Sequence, residues 1–385
     1  MSARTRTILV WVLLVLGTVI VLVGSLTLWV KRQALDSDAW VNTSSQLLEN
    51  DEVRGALSIY IVDELYANLD PAETLADDLP PNLQGLAGPL AGALRQPAIE
   101  AVDRFLQRPR VQDLWARANR AAHEALLRVL EDETRAESIS TAGGNVTLDL
   151  RTLIVNIGEE LGFGEQLESR LPENAGRITI LQSDQLEAAQ TGVKLIKVLS
   201  WLIVFVAIAM FAAAIWLARK RRETLRNVGA ALVLVGILLL VIRRAVGNYI
   251  VDALSSGESV RDAIGSTWII GTDLLAEVAW AVIIYGLVIL IGTILAGPWR
   301  YARRMRRALA PTFRERPEMG WSVLLVVFLL LVLWGPVPAL RVWLGVLVLA
   351  ALIALGFEAF RRVVLGEAEA GDTQQVEPPP PAPAA

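Results

Sequence analysis

The sequence predicts an all-α membrane protein with six transmembrane helices and a mostly helical extracytoplasmic domain that contains a small two-stranded β element. Hydrophobic residues make up 54% of the 385 residues, against about 45–50% in soluble domains. The excess lies in six long apolar runs, whereas residues 31–197 have the composition of a soluble domain. Lys and Arg are concentrated in alternate connections between the runs, as in multi-pass membrane proteins.

The apolar runs are long enough to cross a bilayer, whose hydrocarbon core of about 30 Å needs roughly 20 residues of helix. The first run, Ile8–Val30, contains no charged residue and is not followed by a small-residue cleavage site. We therefore interpret it as an uncleaved signal anchor. The other predicted spans are Val198–Ala218, Asn227–Ile242, Trp268–Ala296, Met319–Trp334 and Leu340–Phe360.

The distribution of Lys and Arg predicts the orientation of the spans. With the N-terminus in the cytoplasm, residues 1–7, 219–226, 297–318 and the C-terminal tail hold 16 Lys and Arg in total. The short outer loops hold only four. Because basic short loops stay in the cytoplasm, we expect a plasma-membrane protein with both termini inside and residues 31–197 outside.

These assignments divide the chain into four parts. Residues 1–30 form the cytoplasmic N-terminus and the signal-anchor helix, and residues 31–197 form the extracytoplasmic domain. Residues 198–364 contain five further transmembrane helices with basic cytoplasmic loops. Residues 365–385 are expected to form a disordered, proline-rich cytoplasmic tail.

The extracytoplasmic domain is acidic and is predicted to be mostly helical. It holds 16 Lys and Arg against 27 Asp and Glu, hence a net charge of −11. An acidic domain joined to a basic membrane part argues against nucleic acid as a partner, because phosphate binding needs a basic surface. Asp51 is expected to cap a helix, and Pro109 to begin another. The first of these helices carries one apolar face composed of Val53, Leu57, Ile61 and Leu65.

Two segments of the same domain change from a helical period to alternation. Val146–Leu150 and Arg177–Leu181 alternate apolar and polar residues, which predicts two short strands that pair with each other. Helical character then runs without a break from Asp184 through the second span to Ala218. We expect these residues to form one long helix.

Five short segments follow one another along the chain in an ordered combination. They are Trp40-Val41, Asp51–Leu57, Leu114–His123, Val146–Leu150 and Leu186–Gln190. Together these segments resemble an uncharacterised family of actinobacterial multi-pass integral membrane proteins with a large extracytoplasmic domain. The resemblance covers the extracytoplasmic domain and at least the second to fourth spans. It implies membrane location and topology, and it implies no activity, cofactor or functional residue.

The sequence offers few groups for catalysis. It has no cysteine and one histidine, His123, so disulfides, thiolate metal ligands and cysteine nucleophiles are excluded. His123 follows two alanines on the Pro109 helix, a setting that favours a packing role over that of a catalytic base. Because Walker A, His-Glu-x-x-His and Gly-x-Ser-x-Gly motifs are also absent, we assign no catalytic residue, cofactor or metal ligand.

Four charged residues form a candidate intramembrane cluster. Arg243 and Arg244 end the third span, while Asp273 and Glu277 lie one turn apart on the fourth. Counted from the inner ends at about 1.5 Å per residue, both pairs lie near the outer edge of the hydrocarbon. Since ionisable groups at this depth find partners, we predict pairing between the two helices. A polar pathway for an ion or lipid headgroup, or snorkelling without pairing, are the alternatives.

The functional class that these features favour is a membrane-anchored cell-envelope protein that binds or scaffolds through its extracytoplasmic helical domain. Its partners would be the lipid bilayer and an envelope protein, a lipid or the cell wall. One alternative is a transporter or channel component that uses the polar residues between the third and fourth helices. A second alternative is a membrane-embedded enzyme.

Overall fold

The computed structural model describes residues 2–69, 71–131, 139–140, 145–149, 177–255, 257–297, 304, 317–334 and 343–376. Contacts within the chain divide it into two compact units. The unit that we call the apolar unit comprises residues 1–26, 202–242 and 275–385. The unit that we call the polar unit comprises residues 27–201 and 243–274.

Helices dominate the described residues of both units. A 3-10 turn at Gln84–Leu86 and three short strands are the other regular elements there. The helices are α1 (Ala3–Leu35), α2 (Ser37–Glu49), α3 (Asp51–Leu69), α4 (Pro71–Asp78), α5 (Ala87–Leu106), α6 (Pro109–Leu130), α7 (Ser183–Leu217), α8 (Arg221–Leu254), α9 (Glu258–Gly271), α10 (Asp273–Leu295), α11 (Pro317–Trp334) and α12 (Trp343–Val376).

Four helices in the described ranges, α1, α7, α8 and α10, are long and apolar enough to cross a membrane. Only 22–33% of the most apolar window of each is buried within the chain. Apolar surface exposed on this scale needs hydrocarbon around it, so the prediction of a membrane protein with several spanning helices is supported. Helices α11 and α12 overlap the fifth and sixth predicted spans.

Helix packing in the apolar unit relies on small residues. Helices α8 and α10 approach so closely that a Cβ atom added to Gly229 would lie 2.9 Å from the Gly286 carbonyl oxygen. One on Gly236 would lie 2.7 Å from the Ala279 carbonyl oxygen. Glycine at helix interfaces allows such contacts between backbones in membranes. A core joins α1, α7 and α8 through Val10, Leu14, Phe211, Ala214, Ala218 and Val228.

Two helix boundaries differ from the sequence prediction. The fourth span was expected to begin at Trp268, but the helix breaks at Thr272, so α10 begins at Asp273. An acidic residue is favourable at a helix N-terminus, which explains the restart at Asp273. Helix α12 extends to Val376, so the part of the expected disordered tail before residue 377 is helical. Glu and Ala between 367 and 370 favour helix there, and residues 377–385 lie outside the described residues.

In the polar unit, α6 begins at Pro109 as predicted, whereas the cap of α3 is not Asp51. The Asn50 side-chain oxygen accepts the backbone N–H of Val53 at 3.0 Å, which makes Asn50 the capping residue. Helix α2 is capped in the same way by Asp36, whose carboxylate accepts from the N–H groups of the second and third helical residues.

A small antiparallel sheet has the strand order β1-β2-β3, with β1 at Ile139–Ser140, β2 at Asn145–Asp149 and β3 at Arg177–Gln182. The pairing of β2 with β3 has an irregularity between Val146 and Thr147. The sheet therefore has three strands where the sequence indicated two, because β1 is too short to show alternation. Helix α7 follows β3 directly and runs unbroken to Leu217, as expected.

Candidate functional site

Arg243, predicted to pair with a carboxylate, is held by the break between α9 and α10. Its Nε donates to the Thr272 hydroxyl at 2.8 Å, and its NH2 group donates to the Ile269 carbonyl at 2.9 Å. The Trp268 indole donates to the Arg243 carbonyl at 3.0 Å. The guanidinium therefore satisfies acceptors left at the C-terminus of α9, where a cation is favoured.

The other members of the predicted charge cluster occupy different environments. Arg244 is exposed, and Asp273 is exposed as the first residue of α10. Glu277 is half-buried, one turn further along α10. The contacts of Arg243 thus connect it to the polar groups around Thr272. Pairing of Arg243 or Arg244 with Asp273 or Glu277 stays a prediction.

His123 belongs to a buried junction between the end of α1, the start of α2, and α6. Its side chain is 4% exposed and stacks on Trp40 with ring centroids 5.1 Å apart. Its Nε2 lies 3.3 Å from the Ala34 carbonyl oxygen and its Nδ1 lies 3.0 Å from the Ser37 hydroxyl. A carbonyl can only accept, so Nε2 carries the proton and Nδ1 accepts from Ser37.

This serine–histidine contact has the elements of a nucleophile and a base, but its position favours a structural role. A catalytic pair must meet a substrate in a cleft, whereas His123 is covered by Trp40 and both of its ring nitrogens have partners within the chain. The contact joins α6 to the corner between α1 and α2. The packing role favoured from the sequence is therefore supported.

Burial lowers the pKa of His123 below the ordinary value of 6.5, although the Ala34 carbonyl and the charges of Asp36 and Glu124 oppose the shift. The unfolded chain takes up this proton near pH 6.5, and the folded chain takes it up only at lower pH. The contribution of neutral His123 to the free energy of unfolding is therefore complete above pH 6.5, and it is lost as the pH falls through the lowered pKa.

We expect the thermal stability of the detergent-solubilised chain to fall more between pH 7.5 and 5.5 in the wild type than in His123→Asn. The substitution removes the histidine titration and leaves Asp36 and Glu124 in place. Melting temperatures of both proteins at the two pH values measure the difference. Equal falls would contradict the assignment.

Arg54 is the centre of a second buried polar junction, between α2, α3 and α5. It is 6% exposed and donates to Asp103 at 2.8 Å and to Asp51 at 2.5 Å. Its NH1 group also donates to the carbonyl oxygens of Leu48 and Glu49 at the end of α2. Burial would lower its pKa, but the hydrogen bonds and charges of the two carboxylates raise it. This arginine is thus fixed as a cation.

Helices α3 and α5 pack antiparallel, as three contacts show. Arg54 meets Asp103, Asp63 meets Arg95, and the Tyr66 hydroxyl donates to the Ala91 carbonyl at 3.1 Å. In these contacts, successively later residues of α3 meet successively earlier residues of α5. The buried positions on α3 are Arg54, Ser58 and Val62, and those on α5 include Ala87, Ala91 and Ile99.

A line of exposed aliphatic residues lies beside the buried positions on each helix. Successive residues of a helix are rotated by about 100° about its axis. In two antiparallel helices, the residues that directly precede the buried positions in sequence therefore lie on the same side of the helix pair. Leu65 is 46% exposed and Leu90 is 41% exposed. We call these lines the apolar rows. Their members are Ile61, Leu65 and Leu69 on α3, and Leu90 and Leu94 on α5 with Leu86 in the 3-10 turn directly before it.

The apolar rows depart from the sequence pattern in the second half of α3. The sequence placed Val53, Leu57, Ile61 and Leu65 on one face, and such a face normally packs into a core. In the structure Val53 and Leu57 are half-buried, whereas Ile61 and Leu65 are exposed and Ser58 is fully buried, at 0% exposure. Arg54 is the sequence feature that could have indicated this arrangement. It shares an alternative face of α3 with Ser58 and Val62 at four-residue spacing, and its guanidinium can reach carboxylates on a neighbouring helix.

Among the described residues, no group of three or more His, Cys, Asp and Glu side chains could hold an ion. Comparisons with known proteins add no assignment, because no family model, curated protein or solved structure matches the chain. The exposed apolar rows are therefore the candidate functional site of the polar unit.

Proposed function

We propose that this protein is a multi-pass plasma-membrane protein whose extracytoplasmic polar unit docks an amphipathic, basic helix of another envelope protein on the apolar rows. The observation that carries the proposal is the arrangement of α3, which buries Arg54 and Ser58 while leaving Leu65 and Leu69 exposed. In water, exposed aliphatic side chains that form a continuous patch mark an interaction surface.

The topology in this proposal has six transmembrane helices, with α11 and α12 as the fifth and sixth. Both termini are cytoplasmic, α1 is a signal anchor, and residues 31–197 are extracytoplasmic. The 16 Lys and Arg of the inner segments against four in the outer loops support this orientation. It places the apolar rows outside the cell membrane, where they meet other envelope components.

The shape of the surface favours a helix as the occupant. The first and last members of each row are eight positions apart, which corresponds to about 12 Å along a helix. Two parallel lines of aliphatic side chains on adjacent helices form a shallow apolar surface that suits one face of a third helix. Such a partner presents aliphatic anchors at helical spacing and polar residues on its opposite side.

Charge favours a basic partner. Residues 31–197 carry a net charge of −11, and electrostatic complementarity selects partners and suppresses wrong ones. A second copy of this chain would bring the same negative charge, and anionic lipid headgroups would be repelled. A helix with Lys or Arg beside its apolar face meets both the aliphatic and the electrostatic requirement.

Site-directed photo-cross-linking in intact cells tests orientation and docking together, since the native chain has no cysteine. Single cysteines replace Leu65, Leu90 or Tyr60, and a membrane-impermeant thiol-reactive photo-cross-linker is added from outside. Tyr60, which is 64% exposed, is the matched control because it lies about 200° from Val62 around α3. A cysteine at Arg226 is the cytoplasmic control.

We expect Leu65→Cys and Leu90→Cys to form a product whose cross-linked peptide, identified by mass spectrometry, is an amphipathic helical segment rich in Lys and Arg. Tyr60→Cys reacts with the reagent but forms no such product. In the Leu65→Cys protein, adding Leu90→Gln is expected to reduce the product by about tenfold, as for loss of one buried leucine anchor. Adding Tyr60→Gln leaves the yield unchanged.

Three outcomes would contradict the proposal. Labelling of position 226 with protection of positions 60, 65 and 90 would reverse the topology. Cross-links to lipid or to a second copy of the chain would show that the occupant is not a basic helix of another protein. Equal products from Tyr60→Cys and Leu65→Cys would show that the apolar rows are not the binding surface.

A further inference from the structure

A crevice in the apolar unit lies where the N-terminal part of α1 meets the connection between α7 and α8. Its volume is about 280 Å³, near the lower end of the range for small-molecule sites. Cationic, polar and apolar side chains all line it. Among them are Arg6, Trp11, Leu14, Arg219, Lys220 and Glu223.

The polar wall of this crevice has an excess of positive charge. Three cations face one carboxylate, Glu223, which Lys220 contacts at 2.9 Å. Arg6 donates its Nε to the Leu217 carbonyl at the end of α7, so its guanidinium is anchored at the crevice. This bond uses one of the five N–H donors of the guanidinium. Guanidinium and ammonium groups brought together in this way suit the oxygens of a phosphate group.

Two further features extend the positive potential and define the shape of the site. The first turn of α8, which begins at Arg221, contributes Glu223 and Thr224 to the lining, and a helix N-terminus adds partial positive charge. The other wall is formed by apolar side chains of α1, including Val10 and Leu14. Trp11, which is 56% exposed, adds the amphipathic ring that prefers the boundary between headgroups and hydrocarbon.

We propose that this crevice binds a phosphate-bearing anion on Arg6, Arg219 and Lys220. A phospholipid headgroup and free phosphate share this chemistry. The apolar wall beside the cations distinguishes the two, because an acyl chain can lie along Val10 and Leu14 while free phosphate has no use for them. The site is independent of the apolar rows, so it does not rest on the proposed docking function.

Native mass spectrometry of the full-length protein, delipidated in detergent, tests the proposal. The probes are phosphatidylglycerol, phosphatidylcholine and inorganic phosphate. The test variants are Arg6→Gln and Arg219→Gln, and Arg226→Gln is the matched control because Arg226 is an exposed cation of the same segment that does not line the crevice. Circular dichroism of each variant verifies that it is folded.

We expect one tightly bound phosphatidylglycerol per chain, with phosphatidylcholine bound more weakly. Arg6→Gln and Arg219→Gln are each expected to weaken binding by about tenfold, as for loss of a charge-assisted hydrogen bond. Arg226→Gln leaves the affinity for phosphatidylglycerol within about twofold of the wild-type value, because screening weakens the effect of a distant exposed charge. Glu223→Gln strengthens binding, since it removes the one carboxylate among the described lining residues. This gain is not expected of variants that merely disturb the fold.

The remaining outcomes distinguish the sources of phosphate and can overturn the site. Displacement of phosphatidylglycerol by millimolar inorganic phosphate, with the same variant pattern, would support the site and assign it to a free phosphate compound. Equal losses from Arg226→Gln and Arg219→Gln would overturn the proposal in favour of general attraction between a basic surface and anionic lipid. Absence of selective binding to phosphatidylglycerol and to phosphate would also overturn it.

Discussion

Replacing Arg54 with alanine is expected to lower the free energy of unfolding of the polar unit by about 3 kcal/mol. The substitution removes hydrogen bonds to two carboxylates and to two carbonyl oxygens at the end of α2. It also leaves Asp103, whose side chain is only 30% exposed, without its cation. Removing one partner of a buried ion pair costs far more than the pair itself contributes.

Arg95→Ala is the matched control, because Arg95 joins α5 to Asp63 of the same α3 through an exposed ion pair. Its expected effect is below about 1 kcal/mol. Hydrogen–deuterium exchange of the full-length protein in detergent measures both effects in peptides from α2, α3 and α5. We expect exchange of the most protected amides to accelerate by about a hundredfold in Arg54→Ala. Equal acceleration in the two variants would show that burial of Arg54 is unimportant.

The second large effect is expected in the apolar unit, where Gly286→Leu should prevent α8 and α10 from packing. A Cβ atom at Gly286 would lie 2.8 Å from both the Gly229 carbonyl oxygen and the Val233 nitrogen. These are backbone atoms, which cannot move aside as a side chain can. Overpacking costs about 1–3 kcal/mol in soluble cores, and a clash between two helix backbones is expected to exceed that range.

Gly292→Leu is the control on the same helix, because a Cβ atom at Gly292 meets nothing within 4 Å. The measurement is the fraction of purified protein that stays monodisperse in detergent during heating. We expect Gly286→Leu to lose most of this fraction at temperatures where the wild type and Gly292→Leu remain intact. Similar curves for both variants would contradict the close packing of α8 with α10.

The spanning helices could be predicted from the sequence because a bilayer imposes a strong constraint. Hydrocarbon requires about 20 apolar residues per helix and leaves charged connections at its edges. The predicted first and third spans fall within single helices, α1 and α8, and the second ends one residue beyond α7. The start of the fourth could not be placed by hydropathy, because Trp268–Gly271 is apolar although it belongs to α9.

The exposed surface of α3 could not be predicted from the sequence alone. Its aliphatic face looks like a core face by periodicity, and the burial of Arg54 is decided by Asp103, 49 residues later in the chain. Sequence spacing contains no information about that distant partner. The contact between Arg243 and Thr272 could not be predicted either, because it depends on a helix break that periodicity did not indicate.

The contact of α8 with α10 repeats along one line of α8. Gly229 and Gly236, which both approach the α10 backbone, are seven residues apart. Seven residues are nearly two full turns. A one-residue insertion between these glycines would therefore swing one of them through about 100°, away from α10. Length changes tolerated in this part of the helix during evolution should thus come in multiples of a heptad.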